Sequence, residues 1–151
     1  MMSTHIRIQA EDFDVNDELD ALAREGSDVG AIASFVGIVR GDGGLTAMRL
    51  EHYPGMTERE IARHADEAKA RWPLNSVTII HRNGRLKEGE RIVLVAVASR
   101  HRAAAFEACQ FLMDYLKTKA PFWKEEERGS QHDWVGAKSS DDRAAERWRK
   151  E

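Results

Sequence analysis

Between Arg91 and Ser99, seven apolar residues (Ile92-Val93-Leu94-Val95-Ala96-Val97-Ala98) follow one another without a polar break. A strand with one wet face alternates apolar and polar side chains, so an unbroken run of this kind marks a strand covered on both faces. The chain must therefore place a layer on each side of it. Candidate layers are present. Asp14 to Arg24 has helical spacing of Val15, Leu19, Leu22 and Ala23, with Asp14 as N-cap. Thr57 to Trp72 reads as a helix opened by a Thr57/Glu60 capping box and stopped by Pro73. Ala103 to Lys119 is helical and apolar over more than one stripe, which predicts contacts on two sides, one of them another subunit. Ser139 to Arg149 can form a last short helix.

Further strands are expected at His5–Gln9, Ala31–Val39, Leu45–Tyr53, Ser76–Arg82 and, as an extended segment, Phe122–Arg128. Leu45–Tyr53 reads as the strand returning from Ala31–Val39 through the turn Arg40-Gly41-Asp42-Gly43-Gly44. Strands and helices interleave without regular alternation. The expected class is α+β, with a mixed or antiparallel sheet and helices packed against it.

The 151 residues fit one domain, residues 1–151. A net charge of −3 gives no general attraction to nucleic acid or to an acidic membrane, so neither is an expected partner. The single cysteine, Cys109, excludes an intrachain disulfide; its place mid-helix among apolar residues predicts a core position. No apolar run approaches the ~20 residues of a membrane span, and the first residues lack the apolar core of a signal peptide. A cytoplasmic protein is expected.

The chain has no dinucleotide- or phosphate-loop motif. Its six histidines are scattered without ligand spacing, and no metal site is expected. The distinctive chemistry is a cationic segment. Arg100, Arg102, Lys117, Lys119 and Lys124 stand against Glu107 and Asp114, with His101 as a further donor. Arginine and lysine beside aromatic walls suit a phosphorylated substrate. Arg102 and Lys117 lie fifteen residues apart on one helix, about 22 Å along its axis. If both act on one small molecule, they come from two subunits. On chemistry alone, three other readings stand: an RNA- or nucleotide-binding module, a non-catalytic scaffold, and a Schiff-base lysine enzyme.

Five stretches, in order and spacing, resemble the large subunit of molybdopterin synthase. They are Phe35-Val36-Gly37-Ile38-Val39-Arg40, Leu50-Glu51-His52-Tyr53-Pro54-Gly55-Met56, Ile80-His81-Arg82-Asn83-Gly84, the segment from His101 to Ala108, and Met113-Asp114-Tyr115-Leu116-Lys117 running on to Ala120-Pro121-Phe122-Trp123-Lys124-Glu125. The resemblance implies an α/β-hammerhead type of α+β fold. It implies a homodimer within a heterotetramer, with a small ubiquitin-like sulfur carrier at each end whose C-terminal Gly-Gly bears a thiocarboxylate. The implied substrate is cyclic pyranopterin monophosphate, and the product is molybdopterin. The partner's thiocarboxylate supplies the sulfur, so no cofactor is implied.

Carried over by position, Lys117 and Lys124 are the implied catalytic lysines. Ile38, Val39 and Arg40 form a substrate loop, and His101 with Arg102 is supplied across the dimer. Glu125 and Glu126 continue the contact after Lys124. Phe35 and Met113 wall the entry of the carrier tail.

Overall fold

The structure, a computed structural model, describes residues 3–135 and 139–149. Its elements run β1 (Ser3–Gln9), α1 (Val15–Ala23), β2 (Ala31–Ile38), β3 (Ala47–His52), α2 (Met56–Arg71), β4 (Ser76–Arg82), β5 (Gly84–Lys87), β6 (Arg91–Ser99), α3 (Arg102–Thr118), β7 (Phe122–Arg128), β8 (Gln131–Val135) and α4 (Ser139–Glu146). The strands form two four-stranded sheets, ordered β1-β4-β6-β2 and β5-β3-β7-β8. In the first, β1 runs parallel to β4 and the other pairs are antiparallel. The second is antiparallel throughout. The class is α+β, as expected, but the strands divide between two sheets.

The apolar run of β6 shows why it has no polar break. Val93, Val95 and Val97 pack into a core with Ile61 of α2 and Ala105, Ala108 and Leu112 of α3. Leu94, Ala96 and Ala98 point the other way, into a second cluster with Phe13 and Leu22 at α1. Period-two alternation thus feeds two cores from one strand. Asp14 caps α1 as expected, accepting the Asp17 amide at 3.0 Å. Cys109 is buried, and burial pushes its thiol up to about 11. Among the described residues no helix is long and apolar enough to cross a membrane.

Two local expectations are corrected. β3 does not return along β2: β2 pairs with β6, whereas β3 pairs with β5 and β7. A register irregularity at Gly37/Ile38 bends the end of β2. The loop then passes Gly43 and Gly44, both at positive φ, which carry the chain across to the second sheet. The Thr57/Glu60 capping box is absent. The helix begins a residue earlier, at Met56, and Glu58 reaches back to the Gly55 amide at 2.8 Å. Glu60 pairs with Arg63 instead. The Thr57 hydroxyl accepts the Tyr53 amide at 3.0 Å and donates to the Pro121 carbonyl at 3.1 Å, so it ties α2 to the start of β7.

Candidate functional site

The two sheets and the C-terminal end of α3 enclose a cavity of about 810 Å³. Three elements deliver its chemistry. The end of β2 and the following loop supply Phe35, Ile38 and Arg40. The last turns of α3 supply Met113 and Lys117, and β7 supplies Lys124, Glu126 and Arg128. Alternation explains the last set: Lys124, Glu126 and Arg128 share one face of β7, while Trp123, Glu125 and Glu127 share the other.

Of the residues expected at the site, the cavity therefore gathers Phe35, Ile38, Arg40, Met113, Lys117, Lys124 and Glu126. The others lie elsewhere. The Val39 side chain is buried, and its backbone is already engaged. Its amide donates to the Glu90 carbonyl at 2.9 Å, and its carbonyl accepts the Gly89 amide at 2.8 Å. Glu125 lies on the outer face of the second sheet, 3.1 Å from Nδ1 of His132. His101 and Arg102 are exposed at the opposite end of α3 from Lys117. Its N-cap, His101, makes no side-chain capping bond, and no acidic residue occupies its first turn. Open backbone amides beside a histidine and an arginine make it a suitable place for an anion.

Arg40, Lys117, Lys124 and Arg128 face the cavity together with Asp42, Glu126 and Asp141. Arg40 lies 3.6 Å from Asp42. Arg128 donates to Glu126 at 3.0 Å and to the Gly43 carbonyl at 3.0 Å, so it clips the glycine loop onto β7. Met113, Leu116, Phe122 and the exposed Phe35 supply apolar wall. Such a mixture accommodates a ligand with an anionic end and an apolar or heterocyclic body.

Two cavity residues stood out little in the sequence. Arg128 is one basic residue in a charged strand. His81 lies in a buried strand, where a polar residue among Ile79, Ile80 and the β6 apolar run was the available signal. Glu125, Glu127 and His132 approach one another closely enough to share an ion, but Glu127 already accepts from Arg85 at 3.0 Å.

Fold and site together define an α+β protein that draws cations from a helix end, a loop and a strand around one cavity. The match to the MoaE protein family spans residues 8–119, and the chain belongs to that family. It is 55% identical, over 99% of its length and 96% of the relative's, to a molybdopterin synthase catalytic subunit of Mesorhizobium japonicum. A solved molybdopterin biosynthesis MoaE protein from Burkholderia ambifaria superposes with a TM-score of 0.84 at 51% identity, covering 96% of this chain and 97% of that one. A molybdopterin synthase chain from Staphylococcus aureus superposes with a TM-score of 0.79 at 30% identity, covering 85% and 95%.

Proposed function

We propose that the chain is the catalytic subunit of a molybdopterin synthase. In two successive transfers, each from the C-terminal thiocarboxylate of one small Gly-Gly-ended carrier, it delivers two sulfur atoms to cyclic pyranopterin monophosphate and so forms the dithiolene of molybdopterin. The observation that carries this reading is the convergence of Lys117 and Lys124, from different elements, on one cavity walled by Phe35 and Met113. The carrier tail enters along those apolar walls as an extended segment.

Lys117 transfers a proton or polarises the thiocarboxylate carbonyl as sulfur leaves it. Lys124 stabilises the charge that develops, and it anchors the tail carboxylate after transfer. Arg40 holds the phosphate from the loop side. His101 and Arg102 reach the substrate from a second copy of the chain, because their own α3 separates them from Lys117 by about 22 Å. A phosphate there meets charge-assisted donors and the open amides of the helix terminus together. The assembly is accordingly a dimer of this chain with one carrier at each end.

The test is product formation by Lys117→Ala with thiocarboxylated carrier. Turnover should fall at least a hundredfold. Near-normal turnover removes the assigned role, and a rise in KM alone reassigns Lys117 to binding. A strictly monomeric, fully active chain sinks the shared site.

A further inference from the structure

His81 is a cavity group for which the sulfur-transfer scheme has no task. It is 7% exposed, stacks on Phe122 with ring centroids 3.9 Å apart, and lines the cavity with Lys117 and Lys124. Its Nδ1 lies 2.9 Å from the Arg82 carbonyl oxygen. A carbonyl can only accept, so Nδ1 carries the proton and Nε2 presents a bare lone pair. The Arg82 carbonyl engages Nδ1 alone and leaves Nε2 on the cavity side of the ring pair.

We propose that His81 orients the heterocycle of the substrate, its Nε2 accepting a hydrogen bond from a ring N–H or amino group of the pterin while the cations hold the phosphate. This rests on the pterin reading given above. Three observations support it.

The first is the scarcity of acceptors. Arg40, Lys117, Lys124 and Arg128 can only donate. Asp42 and Glu126 lie against Arg40 and Arg128. Asp141, from α4, is the remaining carboxylate of the lining. A pterin carries donors as well as acceptors, and its N–H groups need an acceptor that neither the four cations nor the ion-paired Asp42 and Glu126 supply freely. The second is rigidity: the Phe122 stack and the Nδ1 bond both fix the imidazole plane, so the acceptor is aimed before the ligand arrives. The third is charge. Burial, with Lys117 and His52 nearby, lowers the imidazole to about 4, so it stays neutral at physiological pH. A carboxylate at the same place would attract Lys117 and repel the phosphate; a neutral acceptor does neither.

The experiment is titration of cyclic pyranopterin monophosphate into the chain–carrier complex, with the carrier tail titrated separately. His81→Phe keeps the stack and removes the acceptor. Pterin affinity should fall roughly ten- to hundredfold, with tail affinity changed less than twofold. His81→Gln, which restores an acceptor oxygen, should recover part of the loss. An analogue methylated at its ring N–H groups should bind the wild type more weakly but lose nothing further on His81→Phe. Unchanged pterin affinity in a folded His81→Phe overturns the proposal. So does an equal loss of pterin and tail binding, which marks a collapsed cavity. If His81→Phe does not fold, the Gln variant and the methylated analogue decide in the same way. No pterin binding by the wild-type complex overturns the pterin reading itself, and this proposal with it.

Discussion

The imidazole of His81 lies nearly parallel to the ring of Phe122, with centroids 3.9 Å apart and planes inclined by 18°. His81 is near the end of β4 and Phe122 begins β7, so one ring pair joins the two sheets at the floor of the cavity.

Burial of His81 makes stability depend on pH. An unfolded histidine protonates near 6.5, whereas burial holds the folded His81 down to about 4. Between those values the unfolded chain binds the extra proton, so stability falls as pH drops through the window and flattens below it. The loss is up to about 1.4 kcal/mol per pH unit, or about 3 kcal/mol across the window. Half-buried His64, lowered by burial in the same direction, adds to it. Urea melts at pH 7 and pH 4.5 should show this fall in the wild type and a smaller one in His81→Phe. Equal falls would place the titration elsewhere.

Neighbouring glutamates should part company. Glu126 faces the cavity, whereas Glu125 sits on the outer face beside His132. Glu126→Ala should reduce kcat/KM by about tenfold, since it also frees Arg128 from its partner. Glu125→Ala should stay within about twofold of wild type. Steady-state kinetics on the two single variants decides the matter, and the reverse order would contradict the strand parity.

Two dead variants should complement each other. Lys117→Ala spoils the cavity, and a His101→Ala/Arg102→Ala double variant spoils the helix terminus that serves the other copy. Mixed dimers formed by co-expression retain one intact site of two, so random pairing should restore about a quarter of wild-type activity. Activity no higher than that of either parent would show that the site is not shared.

Asp114 anchors the C-terminal helix. Its carboxylate accepts Nε1 of Trp148 at 2.6 Å and Nε2 of Gln110 at 3.0 Å, with Arg147 at 3.6 Å. Asp114→Ala strands the Trp148 donor and should destabilise the fold by about 1–3 kcal/mol. It should also speed tryptic cleavage at Arg143 and Arg147. Asp114→Asn keeps one acceptor and should lose less. Denaturation and limited proteolysis read both effects.

Local features were legible in the sequence because local chemistry sets them. The β6 run, the Asp14 cap and the span of β7 need only composition and spacing, and each element lies where it was expected. Features set by distant partners were not. β3 takes β7 as a neighbour although more than sixty residues intervene, and no pattern at Leu45–Tyr53 records that choice. Thr57 looked like a cap, but its hydroxyl serves Pro121. In β7, the segment Lys124-Glu125-Glu126-Glu127-Arg128 is charged throughout. It shows no apolar alternation from which to assign faces, so Glu125 and Glu126 looked equivalent. His81 was obscured because a histidine within a buried strand ordinarily satisfies itself within the core.

The parity of β7 also limits how the chain can vary by insertion and deletion. Exchanging one side chain alters one contact. Adding or removing a single residue before Lys124 would rotate the whole row by half a turn. Glu125 and Glu127 would then line the cavity, and the cations would face outward. A residue inserted in the β7–β8 turn should therefore leave the cavity lining in place, whereas one inserted between Pro121 and Lys124 should turn it inside out.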